Sequence, residues 1–340
     1  MNYLPGVLGN GATKNRIGRA IESGRLPHAL LIDGDAGTGK LTLATEIAAA
    51  LNCETRGDSL PCGKCNTCRR IYGHCHVDVR IFGRQEGKAT IGVSEIKELR
   101  ADMFLSSTEA PFKVYVIRDA ERMTPEAQNA LLIVLEEPPK NVVIMLLAQG
   151  TDRILTTIKS RAQYIPMARF SRAETEEHLL ELSEHARIMK RTNPESLDIV
   201  LTEADGVLGR AIRLSDPERV EEIKRERKMI TDVILSLGER ADYARLMRAM
   251  SALPTKRTEL SEAIEMIITA IADAVSAKNT ENARTVFFRS SEEALSLTEN
   301  MSSRYLISVY EIFKDALDKL SKNAGVGSLI TECTARIKLI

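Results

Sequence analysis

The sequence predicts an α/β fold: a parallel sheet built around a phosphate-loop-like turn, continued by an all-helical C-terminal half. Three observations predict it. Short apolar runs alternate with helical periodicity in the first half of the chain, a glycine–lysine loop joins one such run to a helix, and no strand-like run recurs beyond about residue 168.

The elements follow in order. "ALLIDG" (29–34) reads as a buried strand entering the loop "GDAGTGKLT" (34–42), and "LTLATEIAAALN" (41–52) as the helix leaving it. "VDVRIFG" (77–83), "KVYVIRDA" (113–120) and "VVIMLLAQ" (142–149) read as further strands. Such continuous apolar runs suit parallel strands buried on both faces. Between them lie "SEIKELRADM" (94–103), with Ser94 as the expected N-cap, and "TPEAQNALLIVLEE" (124–137). The second has Thr124 at the N-cap and Pro125 at the first helical position, and Pro138 and Pro139 stop it. Beyond residue 168, "SRAETEEHLLELSEHARIMKR" (171–191), "PESLDIVLTEAD" (194–205) and "GVLGRAIRLSD" (206–216) are helical. From Ala241 to Leu320 there is no glycine and only one proline, Pro254, and apolar residues recur at helical spacing over 260–277 and 302–320.

The loop has the layout of a phosphate site. Gly34, Gly37 and Gly39 allow backbone N–H groups to turn inward around phosphate oxygens, and Lys40 is placed to reach the outer phosphates. The next residue should be a hydroxyl that holds Mg²⁺, but it is Leu41. Thr42 has a hydroxyl, yet one helical step turns a side chain by about 100°. The acid that should close the apolar strand 113–117 is also displaced: Arg118 stands there, followed by Asp119. Both magnesium positions are compromised, unless Asp119 takes the ligand role. A phosphate-loop fold with degenerate chemistry is therefore expected, and magnesium is not. Whether ATP or ADP rests in the loop stays open.

The second constellation is "NCETRGDSLPCGKCNTC" (52–68), with Cys53, Cys62, Cys65 and Cys68 spaced C-x8-C-x2-C-x2-C. A closed set of four thiolates suits structural zinc. An iron–sulfur cluster is the rival, but its usual run has a fourth cysteine three residues on and then proline. Here the next cysteine is Cys75, and no proline follows it. His74, Cys75 and His76 lie close enough to substitute as ligands, though they are expected to lead into the next strand. Cys333 is isolated.

Bulk properties bound the function. Lys+Arg and Asp+Glu are 47 each, so the chain lacks the basic excess of a free-standing nucleic-acid binder, although charge can be local. No apolar run approaches a membrane span, and "MNYLPGVLGNG" lacks the basic and apolar regions of a signal peptide. A cytoplasmic protein is expected, and its cysteines should serve a metal rather than disulfides.

A cysteine module placed directly after a phosphate-loop helix resembles the AAA+ subunits of the bacterial replicative clamp loader. "SGRLPHALLIDG" (23–34) resembles that family's entry to the loop, and "NALLIVLEEPP" (129–139) its helix before the sensor strand. "TTIKSRAQ" (156–163) resembles its Ser-Arg-Cys segment, with Ala162 in place of cysteine. "GVLGRAIRL" (206–214) resembles its lid helix. The resemblance covers residues 1–215 by motif and the remainder by helical character. It implies an AAA+ domain over 1–167 with a zinc module at about 53–68, a helical lid over 168–216, and an all-helical collar for oligomerisation over 217–340. It also implies a hetero-oligomer with gamma/tau-type and delta-type subunits, ATP-driven loading of a sliding clamp onto primer–template DNA, and contact with clamp and DNA within the assembly. Gly209 falls where the family's ATP-hydrolysing subunits carry a second sensor arginine. Together with Leu41, Arg118 and an end at residue 340 without a long extension, this implies a subunit that does not hydrolyse ATP. Arg161 then becomes the catalytic candidate, an arginine finger lent in trans to a neighbour's ATP. A gamma/tau-type ATPase and a stand-alone AAA+ DNA-repair protein remain the alternatives.

Overall fold

A computed structural model describes the 340-residue chain except residues 56, 85–87, 239–242, 281–282, 289 and 323. The helical stretch expected from Ala241 thus begins on two residues outside the described set. The chain forms two compact units: Met1–Glu184 with Ala204–Arg213, and His185–Glu203 with Leu214–Ile340. No described helix is long and apolar enough to cross a membrane.

The strands of the first unit are β1 (Asn2–Tyr3), β2 (Ala29–Asp33), β3 (Ser59–Leu60), β4 (Val79–Phe82), β5 (Lys113–Ile117), β6 (Val142–Ala148) and β7 (Gln163–Pro166). Five of them form a parallel sheet in the order β4-β5-β6-β2-β7. Side chains alternate between its faces, as the two-residue strand period requires. Leu30, Ile32, Val114, Val116, Val143 and Met145 fill one apolar cluster, while Leu31, Tyr115, Ile117, Ile144 and Leu146 fill the other. Both faces are buried, which explains why the strands read as unbroken apolar runs.

The helices alternating with the strands are α1 (Gly11–Glu22), α2 (Lys40–Leu51), α3 (Asn66–Tyr72), α4 (Val93–Met103), α5 (Pro125–Glu136) and α6 (Thr156–Lys159). Thr124 caps α5 by accepting the Ala127 N–H at 3.2 Å. Helix α4 departs from the expected cap. Gly92 takes the N-cap position instead of Ser94, and the Glu95 carboxylate accepts the Gly92 N–H. Strand β4 is shorter than the run 77–83, and Asp78 just before it has a separate task. It is buried, and its carboxylate accepts the N–H groups of Thr108, Glu109 and Ala110 at 2.8–2.9 Å. Burial pushes the Asp78 carboxyl up, but those three donors outweigh it and hold it below the usual carboxylate range.

The remaining helices are α7 (Arg172–Leu182), α8 (Glu184–Thr192), α9 (Pro194–Ala204), α10 (Leu208–Leu214), α11 (Pro217–Gly238), α12 (Tyr243–Ser251), α13 (Arg257–Asn279), α14 (Ser291–Leu297), α15 (Ser303–Ser321) and α16 (Val326–Lys338). The single helix expected over 171–191 is broken between α7 and α8, where Ser183 takes an extended backbone. In the second unit, α11, α13 and α15 build one core from Ile230, Val233, Ile267, Ile271, Leu306 and Phe313. Buried Asp273 accepts the N–H groups of Val286, Phe287 and Phe288, which satisfies the segment before α14.

Candidate functional site

The glycine loop sits beyond the C-terminal end of β2, which lies between β6 and β7, the usual position for a ligand crevice in an open parallel sheet. Gly37 (φ +97°) and Gly39 (φ +89°) occupy backbone conformations that side chains disfavour. Lys40 opens α2 and turns back over the loop. Its Nζ donates to the carbonyl oxygens of Gly34 and, at 2.8 Å, Asp35. Burial lowers the Lys40 pKa, opposed by the carboxylates of Glu121, Asp33, Asp35 and Asp119.

Leu41 is half-buried against the apolar cluster beneath α2, whereas Thr42 is exposed. The hydroxyl held inside the loop is that of Thr38, which donates to the Asp35 carbonyl at 2.9 Å. Arg118 continues β5, and its side chain runs alongside Gly83 at the end of β4, one strand further from the loop. The Arg118 N–H donates to the Phe82 carbonyl at 2.8 Å, and a Cβ on Gly83 would meet the Arg118 Cβ and Nε at 3.2 Å. Asp33, at the end of β2, accepts the Gly150 N–H and the Tyr164 hydroxyl, each at 2.8 Å.

Contacts invisible to motif reading join the loop to the start of α10. Arg169 pairs with Asp35 at 2.6 Å and with Asp205, which links the loop to the residues entering α10. The Gly209 N–H donates to the Gly37 carbonyl at 3.0 Å. A Cβ on Gly209 would lie 2.8 Å from the Gly37 oxygen and 2.9 Å from its Cα. Gly209 thus permits a direct backbone-to-backbone approach, beyond lacking a long side chain. Gly209→Ala is expected to lower stability by about 1–3 kcal/mol through this overlap. A thermal melt checks it, and an unchanged midpoint would show that the contact is dispensable.

Arg161 lies just beyond α6. Its guanidinium donates to the Thr157 carbonyl at 3.1 Å and pairs with Glu136 at 2.8 Å. The two side chains are 37% and 50% exposed, so the pair is weakly held and the guanidinium can exchange partners at low cost. The pairing with Glu136 is hidden in sequence, because α5 and α6 meet only in the fold. Strand β7, which follows Arg161, is also missed by sequence reasoning: its four residues are too few to show a period.

The four cysteines do come together. The Sγ atoms of Cys53, Cys62, Cys65 and Cys68 all lie within 4.8 Å of one another, with Cys62 and Cys68 at 4.0 Å. A tetrahedral ion with sulfurs at about 2.3 Å requires separations near this value, so the set can hold a metal such as zinc. Backbone N–H groups of Cys62, Lys64, Cys65 and Cys68 point at the sulfurs at 3.4–3.5 Å, a supporting shell for thiolates. Burial pushes the Cys62 thiol up, but the N–H groups of Lys64 and Cys65 help to bring it down to about 6. Burial pushes Cys53 and Cys68 up. His74, Cys75 and His76 lie outside the cluster: Cys75 donates to the Arg70 carbonyl and His76 Nδ1 accepts the Asp78 N–H.

Several contacts tie the module to the sheet domain. β1 pairs with β3, Ile71 of α3 enters the apolar cluster, and buried Glu46 of α2 accepts both the Tyr72 hydroxyl at 2.5 Å and the Gly6 N–H at 3.1 Å.

Residues 9–171 match the family model described as DNA polymerase III, delta subunit. The DNA polymerase III subunit gamma of Buchnera aphidicola subsp. Schizaphis graminum is 32% identical over 213 residues, covering 61% of this chain and 56% of that one. The DNA polymerase III subunit delta' of Bacillus subtilis is 35% identical over 162 residues, 48% of each chain. That of Haemophilus influenzae is 34% identical over 149 residues, 44% of this chain and 45% of its own. The chain spans about half the length of these curated relatives.

Proposed function

We propose that this chain, similar over its first half to members of the bacterial clamp-loader AAA+ family, is a delta-prime-type subunit of the DNA polymerase III clamp loader. It supports ATP-driven loading of the sliding clamp onto primed DNA without hydrolysing ATP itself. The observation that carries this reading is Leu41, which packs against the core where a magnesium-binding hydroxyl belongs. Thr42 is exposed and Thr38 is engaged with Asp35, which further supports it.

Arg161 is the residue the subunit contributes to catalysis: lent to the ATP of an adjoining gamma-type subunit, it stabilises charge on the transferred phosphoryl group. The four cysteines hold one structural zinc. Residues 1–167 form the AAA+ domain, 168–216 the lid and 217–340 the collar, with gamma/tau and delta subunits as partners. A gamma-type ATPase is the second reading, favoured by the Buchnera relative and by the carboxylates of Asp119 and Glu121 acting on Lys40. ATP turnover by the isolated chain separates the two. No magnesium-dependent turnover above a Lys40→Ala control is expected, and turnover abolished by Lys40→Ala would establish the second reading.

A further inference from the structure

Two helices of the second unit present matching stripes to one another. On α11, Arg225, Lys228, Met229 and Asp232 fall at positions i, i+3, i+4 and i+7. Along α12 and just past its end, Arg245, Arg248, Ala249 and Ala252 repeat the same spacing. Residues at this spacing share one helix face, and the two faces together line an open groove of about 510 Å³.

The groove has an amphipathic cross-section. Met229 and Ala249 are half-buried and form an apolar floor, while Arg225, Lys228 and Arg248 stand exposed on its walls. Among the described lining residues, the three exposed cations Arg225, Lys228 and Arg248 face a single carboxylate, Asp232, although positive and negative residues balance over the whole chain. This local excess selects an anionic partner. Among the same residues there is no aromatic ring on which a base could stack, so the composition favours a peptide over single-stranded nucleic acid. Positions i to i+7 span about 10 Å along a helix, enough to receive two turns of another. We infer that this groove docks an acidic amphipathic helix of a partner chain, with apolar residues on the Met229–Ala249 floor and carboxylates beside the flanking cations.

The full-length protein can be titrated with a fluorescein-labelled helical peptide carrying leucines at i, i+4 and i+7 flanked by glutamates. Saturable binding that weakens with salt is expected. Lys228→Glu with Arg248→Glu, both at exposed positions, should weaken it by about tenfold or more. Replacing the leucines by serine, or the glutamates by lysine, should abolish it. Circular dichroism melts establish that the double variant remains folded. Absent binding, or binding unchanged in the folded double variant, would overturn the inference. So would a single-stranded oligodeoxynucleotide that displaces the peptide and binds more tightly at the same cations.

Discussion

Replacing Cys68 by serine is expected to eject the bound metal and to destabilise the first unit by more than about 3 kcal/mol. Cys68 is fully buried at the start of α3, within 4.8 Å of the other three sulfurs. Without a metal, its neighbours remain as crowded sulfurs with no ion to hold them together. With one, they close a loop that carries Ile71 into the core and brings Tyr72 to Glu46. Metal loss should therefore spread into the sheet domain through α2 instead of melting a peripheral knuckle alone. Elemental analysis should find about one zinc per chain in the wild type, as a closed four-thiolate set requires, and a melt should show the loss of stability. Cys75→Ser is the control: this cysteine is exposed and outside the cluster, so metal content and midpoint should stay the same. Iron in place of zinc, or an unaltered melt after complete metal removal, would contradict the structural zinc site.

The second large effect is kinetic. In a complex reconstituted with gamma-type and delta-type subunits, Arg161→Ala should slow hydrolysis at the ATP site it serves by about 10³-fold, the lower range for an arginine finger supplied in trans. Assembly should be intact, because the side chain is half-exposed and its interactions are with Thr157, Ser160 and Glu136 rather than the apolar core. Glu136→Ala removes the partner that holds the guanidinium but leaves the guanidinium itself, so it should have a far smaller effect. Single-turnover measurements report the affected site without dilution by the others. Equal losses in the two variants would indicate that the ion pair, and not the finger, is what matters.

Much of the α/β half was legible because parallel strands buried on both faces leave continuous apolar runs. Residues 113–117 and 142–148 are of this kind. The cysteine set was legible for a different reason: its ligands are close in sequence and their spacing alone restricts the geometry. Strand β7 and the Ser183 break between α7 and α8 were not legible, since four residues show no period and a single polar residue within a helical pattern marks no boundary. Least accessible were contacts between distant segments. Gly37 with Gly209, Arg169 with Asp35 and Asp205, and Arg161 with Glu136 join positions that only the fold brings together. Sequence identified Gly209 through what it lacks; the close backbone approach gives a physical reason for the glycine.

The proposed function places the catalytic contribution on Arg161 and not on Lys40. The direct measurement compares single-turnover ATP hydrolysis by the reconstituted complex carrying either Arg161→Ala or Lys40→Ala in this subunit. Arg161→Ala should abolish rapid hydrolysis at one neighbouring site, while Lys40→Ala should leave every site at its wild-type rate. Loss of a hydrolytic site with Lys40→Ala, together with wild-type rates for Arg161→Ala, would contradict the assignment.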